Sequence, residues 1–368
     1  MVLVKAGRNA LLEPLAAACG IIERRATLPI LANVLIERKA GTLSFLATDI
    51  EIQITARASA ELSGEPSAVT VGARKLLDIL RTLPEEAEVT LQQQNSRLQV
   101  KSGRSRFTLQ TLAPEDFPRL APPAGEVVRL ALAQKELKRL IGLVQYAMAQ
   151  QDIRYYLNGM LLAVGEGELR LVATDGHRLA YAAAPLSVPL ARQEAILPRK
   201  TVLELARLLA DDEREVHLAL SQTQAAFSFG DIELVSKLID GKFPDYTRVI
   251  PTANRNRLAV AREPLRQALA RAAILSNEKL RGVRLVLTDG SLKVVSSNTD
   301  QEEAEETLEV DYAGDALDIG FNVNYLLDVL NNVAASEVRC AFSDAASSAL
   351  VEFPEEPAFR YVVMPMRI

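Results

Sequence analysis

The chain has 368 residues, of which 49% are hydrophobic and 24% are charged, and its formal net charge is −5. These proportions are ordinary for a globular protein, and no apolar run approaches the roughly 18 residues of a membrane-spanning helix. The net acidity excludes a surface coated all over with phosphate-binding charge, although one basic face remains compatible with it. No basic-then-apolar leader opens the chain, so we expect a cytoplasmic protein. Cys19 and Cys340 are expected to be reduced core residues.

The predicted elements recur three times along the chain. Opening amphipathic helices are predicted over residues 9–22, 134–147 and 263–275, and later helices over 73–82, 199–209 and 323–333. Most of the remainder alternates apolar and polar residues at period two, as in 88–93, 97–101 and 106–112. Residues 283–287 and 292–296 flank a Thr-Asp-Gly turn and predict a hairpin. Because no unit alternates strand and helix, the pattern predicts an α+β fold with antiparallel sheets and helices on one side.

Near-copies at a long period indicate three domains. The segments around Asp49, Asp175 and Asn298 read ATDIE, ATDGH and SSNTD, and these three residues are 126 and 123 residues apart. A Phe-Pro pair also recurs 126 residues later, at Phe117 and Phe243. A period of this length is a whole domain and not a solenoid unit. Pro-rich stretches near residues 122 and 251 predict domains over residues 1–124, 125–253 and 254–368, with short, fixed links.

Lysine and arginine recur on equivalent helices of this acidic chain. The opening helices carry Arg8, Lys135, Lys138, Arg139, Arg262, Arg266 and Arg271, and the later helices carry Arg74, Lys75, Arg81, Arg199, Lys200 and Arg207. For any one helix, a solvated face is the simpler interpretation. Their recurrence favours a shared basic surface that binds phosphates without reading sequence. The chain has no Trp and no zinc-finger spacing, so base readout is not predicted.

A catalytic interpretation rests on one pair of residues. Asp175 and His177 resemble an acid–base pair, but the equivalent Asp49 is followed by Ile50 and Glu51 and by no histidine. The aspartate is therefore predicted to be a turn residue, and the enzyme hypothesis is the weaker of the two. No cluster has metal-ligand spacing, and no Gly-rich loop has a phosphate-binding pattern. We therefore predict no catalytic residue, no metal and no cofactor.

The C-terminus is unusually apolar. Residues 360–368 read RYVVMPMRI, whereas chain ends are usually polar and frayed unless they are held down. A final core strand is the simplest interpretation for part of this segment. The terminal Met-Pro-Met favours an adaptable apolar surface that receives partners.

Five motifs in order along the chain then indicate a family. They are RYYLNG at 154–159, ATDGHRL at 173–179, DGKFPDY at 240–246, AILSNEK at 273–279 and YVVMPMR at 361–367. Together they resemble the bacterial DNA polymerase III β subunits, which are the replicative sliding clamps, and the resemblance spans the whole chain. It implies three clamp domains, a head-to-tail homodimer closed into a ring, and helices that line a channel for duplex DNA. It also implies no catalysis, a cytoplasmic place at the nucleoid and replisome, and partners comprising the clamp loader, the replicative polymerase α subunit and other proteins with a clamp-binding motif.

The resemblance also implies three sets of site residues. A partner-peptide groove is expected from Leu157, Thr174, Gly176, His177, Arg178, Leu179, Pro244, Arg248, Val249, Leu280, Asn322, Ala346, Ser348, Val362, Val363, Met364, Pro365, Met366 and Arg367, with His177 and Arg178 as polar anchors at its rim. DNA contacts are expected from Arg24, Lys75, Lys138, Gln151, Tyr155, Tyr156, Arg199 and Lys200. A dimer interface is expected from Lys75, Arg104, Arg106, Phe107, Leu109, Ile274, Leu275, Glu302, Glu303 and Glu306. Leu280 and Ala346 stand where Phe and Val are common in the family, which implies a reshaped groove and leaves its peptide preference open.

Overall fold

The computed structural model describes residues 1–23, 28–39, 41–58, 65–187 and 189–368. The chain forms two compact units, one from Met1–Lys138 with Leu203–Leu238 and the other from Arg139–Val202 with Ile239–Ile368. No helix in the described ranges is both long enough and apolar enough to cross a membrane.

The same order of elements occurs in each of the three repeats, except that the third has one additional short strand, β21. The first holds β1 (Val2–Gly7), α1 (Arg8–Cys19), β2 (Asn33–Lys39), β3 (Thr42–Thr48), β4 (Ile52–Ala58), β5 (Ser67–Gly72), α2 (Ala73–Thr82), β6 (Glu88–Gln94), β7 (Arg97–Ser102) and β8 (Ser105–Gln110). The second holds β9 (Val128–Ala133), α3 (Gln134–Val144), β10 (Gly159–Gly165), β11 (Glu168–Thr174), β12 (Arg178–Pro185), β13 (Gln193–Pro198), α4 (Arg199–Leu208), β14 (Glu215–Leu220), β15 (Gln224–Phe229) and β16 (Ile232–Lys237). The third holds β17 (Asn256–Ala261), α5 (Arg262–Ala272), β18 (Gly282–Thr288), β19 (Ser291–Ser297), β20 (Glu303–Glu309), β21 (Asp311–Tyr312), β22 (Leu317–Asn322), α6 (Val323–Asn332), β23 (Glu337–Phe342), β24 (Ala349–Glu352) and β25 (Phe359–Val363).

The predicted helices are present, with small differences at their ends. α2 has the predicted bounds, whereas α1 ends at Cys19 and not at residue 22. α3 and α5 end three residues early because each continues as one short 3-10 turn, over Gln145–Ala147 and Ala273–Leu275. A tightened last turn is a common way for a helix to end. The α+β class and three repeated units with two helices each are therefore confirmed.

Each helix is held by one apolar face. In α1 the buried residues are Leu11, Leu15 and Ala18, and in α2 they include Leu76, Leu77 and Leu80. Spacings of three and four residues put these side chains on one side of a helix, where they pack on the neighbouring sheet. The two helices of the first repeat contact each other, as do α5 and α6 of the third. Helix formation here follows from burial of these stripes.

The turns around the repeated Asp or Asn are built alike in all three repeats. The Asp49 side chain accepts hydrogen bonds from the backbone N–H groups of Glu51 and Ile52. The Asp175 carboxylate accepts from two N–H groups, and the Asn298 side-chain oxygen also accepts from two. Asp and Asn are favoured in turns because their side chains bond the backbone two residues on. The prediction that these three residues are turn elements of one repeated unit is confirmed.

Continuous sheets join the repeats by the same joint. β4 of the first repeat pairs antiparallel with β16 of the second, which makes one sheet in the order β5-β2-β3-β4-β16-β15-β14-β9. β12 of the second repeat pairs antiparallel with β25 of the third, in the sheet β13-β10-β11-β12-β25-β24-β23-β17-β21. In each joint, the strand after the Asp turn pairs with the last strand of the next repeat. We call these two pairings the first joint and the second joint.

Two strands, one in the first repeat and one in the third, lie at the edge of a sheet and are unpaired on one side. β8, the last strand of the first repeat, is the edge of the sheet β1-β6-β7-β8. β20, the strand after the Asn298 turn, is the edge of the sheet β20-β19-β18-β22. β8 is the counterpart of β16 and β25, and β20 is the counterpart of β4 and β12, the strands that form the two joints. In the described part of the chain, neither β8 nor β20 has a joint partner.

Both cysteines are free thiols, and both are partly exposed and not the fully buried core residues that we predicted. Burial raises the pKa of Cys19 and of Cys340 to about 12 in each case. Because only the thiolate attacks an alkylating agent, we expect the native chain to resist iodoacetamide at pH 8 and to take up two labels after denaturation. Mass spectrometry of the intact chain counts the labels, and rapid labelling of the native chain would contradict the protonated state of the thiols.

Candidate functional site

A pocket of about 180 Å³ lies over the second joint, within the second compact unit. Its lining comes from the segment before β10, the turn before β12, the segment after β16 and the end of β25. The lining residues are Arg154, Tyr156, Leu157, Thr174, Gly176, His177, Arg178, Leu179, Phe243, Pro244, Tyr246, Val249, Val362 and Met364. The pocket thus lies where two repeats share a sheet.

The floor of the pocket is continuous with the protein core. Leu179 and Val362 are directly opposite each other across the second joint, and each is at most 2% exposed. They belong with Phe243 to one buried cluster, against which Tyr156 and Tyr246 pack. A concave apolar site with a few polar groups at its edge suits a small ligand or a short peptide segment.

The turn between β11 and β12 forms one wall. The Thr174 hydroxyl donates to the Arg178 carbonyl at 2.6 Å and accepts from the Gly176 N–H at 3.1 Å. The Met364 N–H donates to the His177 carbonyl at 2.8 Å, which ties the chain's last segment to the same turn. Gly176 has φ +88°, a conformation that favours glycine.

Arg154 lies over that turn. Its guanidinium donates to the Asp175 carbonyl and pairs with Asp152, and the hydrogen bond lowers the pKa of the Asp152 carboxyl to about 2. A Cβ added to Gly176 would lie 3.0 Å from the Arg154 guanidinium nitrogens. A side chain at position 176 would therefore be strained by its backbone and would displace Arg154.

Arg178 is not the polar anchor at the rim that we predicted. Its side chain is only 9% exposed. The guanidinium points inward and donates to Asp328 at 2.5 Å and to the Tyr146 carbonyl at 2.6 Å. A buried charge needs such partners, so this guanidinium is held by the protein and is not offered to a ligand. His177, which is exposed, keeps its predicted place at the rim.

The structure brings together ten of the predicted groove residues and leaves nine outside the pocket lining. Those outside are Arg248, Leu280, Asn322, Ala346, Ser348, Val363, Pro365, Met366 and Arg367. Val363 is fully buried, because successive strand residues face opposite sides and Val362 takes the pocket side. Its prediction as a groove wall is therefore wrong. The other eight are exposed or partly exposed, and Leu280 is 56% exposed.

Sequence reasoning did not assign four of the lining residues to this site. Arg154, Phe243 and Tyr246 were not predicted for this site, and Tyr156 was predicted to contact DNA. The signal for Phe243 was present, because its Phe-Pro pair repeats that of Phe117 and both phenylalanines are buried. The recurrence of this pair did not predict that the segment after β16 packs over the second joint.

The first joint has a smaller apolar cluster in the equivalent place, formed by Leu35, Leu46 and Phe117. Gln53 occupies the place of Leu179, since each pairs with the last threonine of the preceding strand. The Gln53 side chain accepts a hydrogen bond from the Leu120 N–H at 2.8 Å, so the chain's own segment is bonded over this place. At the second joint Leu179 instead belongs to the apolar cluster, which is larger there.

The residues predicted to contact DNA are placed as follows. Lys75 lies exposed on α2, and Lys138, Arg199 and Lys200 are partly exposed on α3 and α4. Gln151 and Tyr155 are exposed on the segment before β10, where Gln151 has φ +55°. Arg24 lies outside the described residues.

Most of the basic side chains of the opening helices have structural partners. The guanidiniums of Arg8 and Arg262 donate to carbonyls at the C-terminal ends of α2 and α6. Four more are in ion pairs: Lys135 with Glu213, Arg139 with Glu356, Arg266 with Glu263 and Arg271 with Glu306. The predicted basic face is therefore narrower than the composition of the helices suggested. Lys75 and Lys138 form no ion pair with any residue of the described ranges.

The residues predicted for the dimer interface lie on or beside the two unpaired edges. Arg106, Phe107 and Leu109 are on β8, with Arg104 just before it. Glu303 and Glu306 are on β20, with Glu302 just before it. Ile274 is 76% exposed in the 3-10 turn after α5, where it is followed by Leu275. Lys75 is on α2, where it lines a cavity together with Thr108, Leu109 and Gln110 of β8.

No group of three or more His, Cys, Asp or Glu that could hold a metal occurs in the part of the chain described. The Asp175 carboxylate is occupied on both oxygens, by two backbone N–H groups and by Arg178 at 3.2 Å. It is therefore a fixed turn element, which disfavours the acid–base pair with His177.

Comparison with known proteins gives matches over the whole chain. Models of the DNA polymerase III β-subunit N-terminal, central and C-terminal domains match residues 4–121, 131–245 and 247–367. Proteins named beta sliding clamp from Pseudomonas aeruginosa and Escherichia coli are 48% and 47% identical over 98% of both chains.

Solved structures agree with these matches. A DnaN sliding clamp from Pseudomonas aeruginosa bound to griselimycin has a TM-score of 0.96 at 48% identity, with 100% of both chains covered. The beta sliding clamp of C. crescentus has a TM-score of 0.93 at 39% identity, covering 99% of this chain and 98% of that one. The chain therefore belongs to the DNA polymerase III β-subunit family, the bacterial sliding clamps.

Proposed function

We propose that this chain is one subunit of a ring that encloses duplex DNA and holds replication proteins on it. A sliding clamp is a processivity factor and not a catalyst. The observation that carries the proposal is the repeated joint. Two joints are formed within the chain, and one further strand of each kind, β8 and β20, is left at the ends.

The unpaired strands support a head-to-tail homodimer. A β20 of one copy and the β8 of another are the counterparts of the strands that pair in both joints. Two copies related by a two-fold axis would form two such contacts and leave no joint strand unpaired. Phe107, Leu109 and Ile274 supply apolar contacts, and basic residues beside β8 meet acidic ones on β20, which is how a specific interface is built.

The two joints also specify the register of this contact. The first joint pairs Ile54 with Leu234, and the second pairs Ala180 with Tyr361. Ladder pairings within the sheets make Ala304 the counterpart of Ile54 and Ala180, and Phe107 the counterpart of Leu234 and Tyr361. The proposed register therefore puts Ala304 of one copy opposite Phe107 of the other, and Glu305 opposite Arg106.

DNA binding is proposed to be electrostatic and independent of sequence. Lys75, Lys138, Arg199 and Lys200, with Arg24, would attract backbone phosphates, and Gln151, Tyr155 and Tyr156 would contact the duplex from the segment before β10. A few weak phosphate contacts allow movement along DNA because they carry no base information. The domain bounds 1–124, 125–253 and 254–368 and a cytoplasmic, nucleoid-associated place belong to the same proposal.

The pocket over the second joint is proposed to receive short peptide segments of partners, namely the polymerase α subunit, the clamp loader and other proteins with a clamp-binding motif. Its apolar floor would take apolar anchors of the peptide, and His177 would offer a polar contact at the rim. The residues outside the lining, such as Met366 and Leu280, would extend this surface. Overlapping peptides tiled across the polymerase α subunit would identify the tightest binder, which we call the probe peptide.

Retention on circular DNA tests the ring. Clamps loaded by a clamp loader and ATP on a nicked circular plasmid should stay bound through gel filtration, whereas cutting the plasmid once should release them. The reason is topological, because a ring slides off an end while an ordinary DNA-binding protein does not. Equal retention on circular and linear DNA would contradict the proposal.

A further inference from the structure

We infer that Asp328 on α6 is a positioning residue for the pocket over the second joint, although it does not line that pocket. It acts through Arg178, whose guanidinium joins the wall of the pocket to the helices beneath it. This inference rests on the proposed peptide-binding function of the pocket.

Arg178 makes contacts to three separate parts of the second compact unit. Its Nε lies 3.2 Å from the Asp175 carboxylate, on the turn that forms the pocket wall. Its Nη1 donates to Asp328 on α6 at 2.5 Å, and its Nη2 donates to the carbonyl of Tyr146, just after α3, at 2.6 Å. A planar guanidinium can hold several partners in a fixed geometry, which a lysine cannot do.

Aromatic rings enclose the guanidinium. Its central carbon lies 4.5 Å from the centre of the Tyr325 ring and 5.7 Å from that of Tyr146. Tyr361 on β25 donates a hydrogen bond to the Tyr325 carbonyl at 2.8 Å and packs on Tyr146, with ring centres 6.0 Å apart. The next residue in β25, Val362, belongs to the pocket floor. The floor of the pocket and the turn that forms its wall therefore both contact the group of side chains around the Arg178 guanidinium.

Asp328 is the charged partner of this cation that lies outside the pocket turn. Its side chain is 39% exposed, whereas Arg178 is 9% exposed, so α6 presents a carboxylate to a nearly buried guanidinium. Removing that charge leaves Arg178 with less compensation for its burial, and the guanidinium then turns toward water. The turn loses its tie to α6, and the positions of Thr174, Gly176 and His177 become less fixed.

A second consequence concerns the segment from Tyr146 to Leu157. Arg178 holds its beginning at the Tyr146 carbonyl, and Arg154 rests on the Asp175 carbonyl of the same turn. This segment presents Leu157 to the pocket and carries Gln151 and Tyr155, which are proposed to contact DNA. The Arg178–Asp328 pair therefore positions residues of both candidate sites.

The test compares Asp328→Asn with Asp318→Asn. Asp318 is a matched control, because it also pairs with an arginine in the third repeat, but on an exposed surface where both side chains are nearly half exposed. We expect probe-peptide affinity, measured by fluorescence anisotropy, to fall about tenfold in Asp328→Asn and to stay unchanged in Asp318→Asn. Asp328→Glu should recover part of the loss, because it restores the carboxylate.

Amide hydrogen exchange supplies a reading that does not need the peptide. The Gly176 and His177 amides, which donate to side chains of their own turn, should exchange faster in Asp328→Asn than in the control. Tyr325→Leu removes the stacked ring and keeps an apolar side chain, so it should also raise these exchange rates and lower the probe-peptide affinity. It replaces Asp328→Asn in the test if that variant does not fold. If the unaltered chain binds no peptide, the proposed function fails and the exchange rates still decide the positioning role. Unchanged affinity together with unchanged exchange in both variants would overturn the inference.

Discussion

Replacing Ile274 and Leu275 together by aspartate is expected to convert the proposed dimer into monomers. Ile274 is 76% exposed in the free chain, which is unusual for an isoleucine and fits a residue that a second copy covers. Placing two carboxylates in the apolar centre of an interface costs at least about 4 kcal/mol, or roughly a thousandfold in the dissociation constant. Sedimentation velocity at micromolar concentration measures the change directly.

Ile153→Asp is the matched control for this variant. Ile153 is 96% exposed, more than Ile274, but it lies in the segment before β10, whereas Ile274 directly follows α5, the helix that contacts β20. The Ile153→Asp chain should therefore remain dimeric in the same sedimentation measurement. A dimer that persists in the Ile274→Asp/Leu275→Asp chain would place the interface elsewhere.

The register of the interface has its own test by disulfide formation. With Glu305→Cys and Arg106→Cys in one chain, mild oxidation should link each copy to the other, because directly opposed strand residues lie within disulfide reach. Glu303→Cys with Arg104→Cys, a pair offset along the strands, should link poorly. The native cysteines do not compete, because burial raises the pKa of both to about 12.

Deleting Met364–Ile368 is expected to reduce probe-peptide affinity at least about a hundredfold. The deletion removes Met364 from the pocket and releases the His177 carbonyl, to which the Met364 N–H donates. Calorimetry with the probe peptide measures the loss. The dimer should survive, because the deleted residues are on neither β8 nor β20.

A shorter deletion separates the pocket from the stability of the fold. Ile368 packs beside Gly282 and Gly320, and the Met366 N–H donates to the Gly320 carbonyl, so the tail contributes modestly to stability as well. Removing only Arg367 and Ile368 should therefore lower the melting temperature slightly and leave peptide affinity within about twofold. If the longer deletion unfolds the chain, Met364→Ser replaces it. Unchanged binding in both would show that the tail is not part of the site.

The fold could be predicted largely from the sequence because the pattern of one domain recurs three times along the chain. A single copy of the Asp turn is ambiguous, but the recurrence at Asp49, Asp175 and Asn298 separates what the fold requires from what one repeat adds, such as His177. Helix ends were predicted less well, since the tightened turns after α3 and α5 depend on packing. The joints between repeats were not predicted, because strand pairing across a domain boundary leaves no local pattern.

The candidate site was predictable only in part, for a related reason. Residues of the motifs at 173–179 and 240–246 do meet, but the sequence could not show on which side of β25 each residue lies. Val363 was therefore assigned to the pocket although it faces the core. Arg178 was interpreted as a surface cation because its partners, Asp328 and the Tyr146 carbonyl, are distant in sequence. Net charge and spacing indicate where charges occur and do not show which of them are already neutralised.

The charges on the two unpaired edges have a consequence for how copies can meet. β20 carries Glu303, Glu305 and Glu309, and β8 carries Arg106 next to Arg104. Two β20 strands side by side would bring glutamates against glutamates, and two β8 strands would bring arginines together, and like charges opposed across a ladder are destabilising. Only unlike edges attract each other electrostatically. We therefore expect the charges of the two edges to favour the proposed head-to-tail contact and to disfavour pairing of two identical edges.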